Sequence, residues 1–253
     1  MKRLLSNPVL QEGIQVYFIE GRGFVVYAVY LALVALLQGL ILFLPAGDPR
    51  IWMGPAYLFK VTAVGVLVLL LYFIVRSANQ EFASWRFRSL TRWFKEERLG
   101  AGAVAAGQIA VLVLQASVFL VLALPLLAWA GAIEGTPLSS MVATGALLFF
   151  YALVYGGWGL FAVVFWDHSQ DSRRVFVRCF LVCLLLVSGL LYLALNPVAF
   201  LLRELEGLEL LPLSVGHWTL EGATVHGVFH GLLFIGGFGL YGWALKRVRE
   251  TYS

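Results

Sequence analysis

Charge is what this sequence has least of. Only 13% of its 253 residues are Asp, Glu, Lys or Arg, against 61% that are hydrophobic, which lies outside the range of water-soluble domains. Cysteine is scarcer still. Cys179 and Cys183 are the only two, so no disulfide framework is available to an extracellular module. Four apart on one helical face, they read as two buried thiols. No lysine follows a glycine-rich loop, so the phosphate-cradling G-x-x-x-x-G-K-[ST] pattern is missing, as are H-E-x-x-H and G-x-S-x-G. The long apolar runs also lack the carboxylates that a proton- or sodium-coupled carrier uses inside the membrane. Soluble domains and motif-bearing hydrolases drop out, and the chain is not expected to be an enzyme.

What remains is apolar length. Six stretches, Phe24–Leu44, Ala56–Val75, Ala103–Ala130, Ser139–Phe165, Val175–Leu195 and Val225–Leu245, each hold about 20 residues or more, enough for a helix to cross a bilayer. The basic residues orient them. Lys2, Arg3 and Arg22 precede the first stretch. Arg76, Arg86, Arg88, Arg92, Lys95 and Arg98 separate the second from the third. Arg173, Arg174 and Arg178 follow the fourth, and Lys246, Arg247 and Arg249 follow the sixth. The other gaps hold only Arg50 and Arg203. Basic loops stay in the cytoplasm, so both termini are expected there. The expected fold is all-α: one transmembrane domain, 1–253, of six helices. The basic balance is accounted for by this bias and anionic lipid, without nucleic acid.

Three segments between or before the spans carry a pattern of their own. In 7–22, Asn7 is placed to cap a helix starting at Pro8, and Leu10, Ile14, Tyr17 and Phe18 give it one apolar face. It suits the membrane interface and is not a cleavable signal. In 80–97, Phe82, Trp85, Leu90, Trp93 and Phe94 fall opposite Glu81, Arg88, Arg92, Lys95 and Glu96 on a helical wheel. In 196–223, Pro197 and Pro212 bracket a helix-compatible Val198–Leu211 that is too polar to span. A helix dipping part-way into the outer leaflet fits it, with Glu204, Glu206 and Glu209 facing water.

Histidine supplies the remaining chemistry. His226 and His230 stand four apart at the outer end of the sixth span, preceded by His217 and Glu221. Two imidazoles so spaced can share a metal or haem, or serve as plain hydrogen-bonding residues. Glycines at 156, 157 and 159, and the pair Gly227 and Gly231, read as close helix contacts.

The order of parts resembles the six-helix permease subunits of type-2 ABC exporters. An interfacial helix opening Asn7-Pro8-Val9-Leu10 leads into six spans. A cytoplasmic amphipathic segment, Glu81–Glu97, follows the second, and an outer segment opening Asn196-Pro197-Val198-Ala199-Phe200 follows the fifth. Many members carry an E-R-E-like stretch and a proline before the third span. This chain has Glu81-Phe82-Ala83-Ser84-Trp85 and no such proline, so position and amphipathicity carry the likeness there.

The resemblance implies that 7–22 is a connecting helix and that 80–97 is a coupling helix. Glu81, Phe82, Trp85, Arg88, Leu90, Arg92 and Trp93 would then contact an ABC ATPase subunit. It implies that 196–223 is an external re-entrant segment with Glu204, Glu206 and Glu209 at an external gate. ATP and Mg would be bound by two copies of the ATPase, with no cofactor in this chain. A second permease copy, or a similar permease, would complete a pathway in the bacterial cytoplasmic (inner) membrane. The alternatives are a metal- or haem-binding membrane protein using His226 and His230, or a non-transporting membrane anchor.

Overall fold

A computed structural model describes residues 6–20, 22–43, 54–83, 87–167, 169–215 and 218–252. Helix α1, Pro8–Ile14, runs into a π-helical turn at Gln15–Ile19. The Asn7 side chain accepts from the Val9 and Leu10 N–H groups, as the Asn-Pro pair leads one to expect. Then come α2, Arg22–Phe43, and α3, Leu58–Ala78, followed by the short α4, Leu90–Lys95. Helices α5, Ala101–Glu134, and α6, Leu138–Phe165, form an antiparallel pair broken at Gly135 in the left-handed region. Helix α7, Gln170–Val182, continues through a π-helical turn at Cys183–Val187 into α8, Ser188–Leu191. After it stand α9, Pro197–Glu206, and a two-stranded hairpin of β1, Leu213–Val215, and β2, Trp218–Leu220. The last helix is α10, Gly222–Tyr252.

Six of these helical stretches are long and apolar enough to cross a membrane, which makes this a multi-pass, all-α membrane protein. Helices α6 and α3 form its centre. Their apolar stretches are 72% and 61% buried, against 22% for the α7–α8 stretch and 28% for α2 and for α10. The outer helices therefore turn whole apolar faces away from the protein. The centre is knit by close approach. A Cβ on Gly159 of α6 would lie 2.6 Å from the Val75 carbonyl oxygen of α3, so only glycine lets those backbones meet. The expected small-residue contact at Gly227 and Gly231 is not made among the described residues: both border open space.

Polar side chains stitch the bundle at its ends. Gln38 of α2 donates to the Leu126 carbonyl of α5 at 2.7 Å, and Tyr241 of α10 donates to Gln108 of α5 at 2.6 Å. Glu134, closing α5, accepts from the Phe59 N–H at 2.6 Å and so caps the start of α3. Helix α5 has 34 residues, about 50 Å of helix. That exceeds the hydrocarbon thickness and lets its first turn reach α1, where Asn7 Nδ2 donates to the Ala103 carbonyl at 2.7 Å.

Four sequence expectations are corrected. The 80–97 segment is not one helix: its described helix is the six residues of α4. Gln80 and Arg98 take φ of 58° and 50°, left-handed values that no helix continues through. The fifth span ends at Leu191 rather than Leu195. Tyr192 turns extended and Leu193–Leu195 forms a 3-10 turn, although the sequence stays apolar. The helix expected over Val198–Leu211 stops at Glu206 because Gly207 adopts φ of 64°, which leaves Leu208 outside it and exposed. Cys179 and Cys183 are free and exposed. The buried stripe of α7–α8 is Val177, Leu181, Leu184 and Ser188, and the cysteines lie off it.

Candidate functional site

Two polar assemblies stand out against the apolar bundle, one at each end. The first lies at the end rich in arginine, where α1, the end of α3, the 81–97 segment and the start of α5 meet. Glu81 is turned inward, its side chain 3% exposed. It pairs with Arg76 Nε at 2.8 Å and accepts from Asn79 Nδ2 at 3.1 Å. Phe82 stacks on Phe73 of α3 at 5.8 Å, with the Arg76 guanidinium over its ring. Leu90, Trp93 and Phe94 are buried in the bundle. These residues anchor the segment. What it offers outward is Arg88, Arg92, Lys95, Glu96, Glu97 and Arg98, all exposed. Trp85 lies outside the described residues.

The segment is clasped to α1 by one carboxylate. The Arg88 backbone N–H donates to Glu12 Oε1 at 2.5 Å, and Arg88 Nε stands 3.7 Å from Glu12 Oε2. Arg88 also pairs with Glu97 at 2.9 Å and lies over the Trp93 ring. Burial pushes the Glu12 carboxyl above its ordinary value, with the Arg88 N–H and the Arg88 and Arg92 charges opposing. Tyr17, one turn on, donates to the Ser77 carbonyl of α3 at 2.7 Å, and burial pushes its phenol up. Helix α1 is thus bonded at Asn7 to α5, at Glu12 to the segment and near its end to α3.

At the opposite end His226 and His230 are enclosed, 3% and 0% exposed. Each ring has one nitrogen against a carbonyl. His226 Nδ1 donates to Ala194 O at 2.6 Å, and His230 Nδ1 donates to His226 O at 3.0 Å. That fixes the proton on Nδ1 in both neutral rings. The two Nε2 atoms then accept from the hydroxyls of Tyr151 at 2.6 Å and Tyr155 at 2.5 Å, both on α6. The result is a four-residue ladder between α6 and α10. It reaches the α8–α9 corner through Ala194 and through Phe200, which stacks on His226 at 3.8 Å. Among the described residues no group of three His, Cys, Asp or Glu could hold a metal, and His217 lies outside them.

The same corner is tied to the fifth span by Asn196. Its Oδ1 caps α9 by accepting from Val198 and Ala199. Its Nδ2 donates to the Leu185 carbonyl at 2.8 Å, inside the π-helical turn, where helical bonding is shifted. Around α9 lie two cavities of about 540 and 420 Å³ that share Phe200 and Glu204. The larger is lined by Glu204, Glu209, Glu221 and Arg203, and the smaller by Thr144 and Leu201 among others. Glu206 lines neither of these two.

Sequence reasoning found the histidines but not their partners. The signal was present: Tyr151 and Tyr155 repeat on α6 the four-residue spacing of His226 and His230 on α10. Glu12 was read with Gln11 and Gln15 as part of the polar side of an amphipathic helix, not as a partner of Arg88. No model of a known protein family matches this chain, and no match to it was found among curated proteins.

Proposed function

We propose that this chain is the membrane-spanning permease subunit of an ATP-driven exporter of the ABC type, working as a pair and moved by a separate ATPase. The observation that carries the reading is the 81–97 segment. Leu90, Trp93 and Phe94 are seated in the bundle, and Glu81 is held inside by Arg76. Arg88, Arg92, Lys95, Glu96 and Glu97 are turned out, and the Glu12–Arg88 clasp binds the segment to α1. A short helix so mounted is a lever: a push on Arg92 and Lys95 reaches α1, α3 and α5 through bonded contacts, without first deforming the core. On this reading the arginine-rich end and both termini are cytoplasmic, in the bacterial inner membrane. ATP and Mg belong to the partner, and two copies of this chain, or this chain and a similar one, flank the pathway.

The far end supplies the other half of the device. The corner from Tyr192 to α9 is the external re-entrant segment, and Glu204 and Glu209 line its larger cavity at the exit. The Tyr–His ladder holds that corner against α6 and α10, so rigid movement of α6 is transmitted to it. Co-expression with an ATPase subunit from the same source tests the proposal. The purified complex should hydrolyse ATP, and Arg92→Glu with Lys95→Glu should release the ATPase while the chain remains in the membrane. Association that survives both charge reversals, or a chain that purifies without any ATPase, would count against the reading.

A further inference from the structure

Two buried polar atoms at the arginine-rich end find no hydrogen-bond partner among the described residues, and their residues line one small cavity. Gln115 of α5 is 1% exposed, and its Nε2, although its side chain faces the Tyr17 hydroxyl, completes no hydrogen bond among the described residues. Glu12 Oε2 of α1 is also buried without a hydrogen bond, Arg88 Nε at 3.7 Å being beyond bonding reach. The cavity measures about 30 Å³ as space open to the centre of a water molecule, and Tyr17, Ser77, Gln108 and Trp93 also line it.

We infer that this cavity is a water-binding site, in which bound water bridges Gln115 Nε2 and Glu12 Oε2 and so joins α1 to α5 beneath the 81–97 segment. Size and chemistry both select water. A water needs roughly 10–15 Å³ and two to four polar partners, so the cavity has room for about two or three. One partner is a donor, Gln115, and one an acceptor, Glu12. Tyr17 Oη supplies a third: it spends its own proton on Ser77 O and keeps a lone pair to accept with. Exchanging the two ends of the Gln115 amide changes only the direction of one bond, because water also donates to two acceptors.

Such a water does what a direct side-chain bond does not. It turns as its partners shift, so the joint between α1, α5 and the segment can move slightly without leaving a buried group unpaired. The site stands on its own, whether or not an ATPase is the partner.

Gln115→Met in the full chain, purified in nanodiscs, gives a result whose sign decides. With bridging water, the variant strands Glu12 Oε2, and the melting temperature should fall by about 2–4 °C or more. In a dry cavity the same change removes an unsatisfied donor and keeps the shape, so an unchanged or higher melting temperature would overturn the inference. If the variant does not reach the membrane, a map of the unaltered chain that resolves ordered water decides instead. Density within hydrogen-bonding distance of both Gln115 and Glu12 is the expected result. The Gln115 amide bonded directly to the Tyr17 oxygen, with no density between Gln115 and Glu12, would overturn it.

Discussion

Tyr151 of α6 donates to His226 of α10 at 2.6 Å, and both side chains are buried. One turn further along both helices Tyr155 and His230 repeat the bond at 2.5 Å. With Trp158 Nε1, which donates to the Leu233 carbonyl at 3.0 Å, these bonds fix the register of α6 against α10.

Tyr151→Phe should therefore be costly for a change of one oxygen. It leaves His226 Nε2 buried without a donor, which costs about 1–2 kcal/mol in a membrane protein. Unfolding in micelles, followed by tryptophan fluorescence, measures the loss. Adding His226→Leu should not restore the loss, because it takes the donor from the buried Ala194 carbonyl in turn.

The Glu12 clasp gives a dependence on pH with a defined sign. Burial raises the folded-state value of this carboxyl above 4.5, so the protonated form is favoured by the folded joint. Its contribution is fully present below pH 4.5 and is lost as pH rises through the raised value. The melting temperature of the unaltered chain should carry a component that falls over that window. Glu12→Gln, which keeps an acceptor for the Arg88 N–H, should remove that component in a side-by-side pH series.

The 81–97 segment should divide its residues by role. Leu90→Ala and Trp93→Ala open cavities in the bundle and should cost about 2–5 kcal/mol. Arg92→Glu and Lys95→Glu lie on the exposed side, where even the Arg92–Glu96 pair at 2.7 Å is solvated, and should each cost less than about 1 kcal/mol. Thermal scans of the four variants check the division.

Topology has its own test. With Cys179 and Cys183 replaced by serine, a cysteine at Glu209 should react with a membrane-impermeant maleimide in intact cells. A cysteine at Lys95 should react only after permeabilisation. The opposite pattern would invert the bundle.

How much of this was legible in the sequence follows from how far each feature depends on neighbours in space. Six apolar runs of span length are a local property, and all six appear as helices. Asn7 before Pro8 is a local signal too and caps as expected; Asn196 before Pro197 repeats the pattern and also caps, a role the sequence reading did not assign. The end of the fifth span was missed because Leu193–Leu195 stays apolar after the helix has stopped. The stop is set by Asn196 reaching back to the Leu185 carbonyl and by His226 holding Ala194. The 80–97 helix was over-extended because a wheel cannot register that 81–83 form a turn and that Ser89 caps a new helix starting at Leu90. Glu81 read as an outward charge, yet the Arg76 guanidinium and Asn79 draw it inside. The histidines were visible as a pair, but a pair on one helix says nothing of the tyrosines on another.

The proposed role rests on assembly with an ATPase, and the mass of the intact complex tests that most directly. Native mass spectrometry of the co-expressed complex, released from nanodiscs, should give two permease chains, of which this one weighs 28.0 kDa, together with two ATPase subunits. This chain alone, or as a pair with no ATPase attached under the same gentle release, would contradict the account.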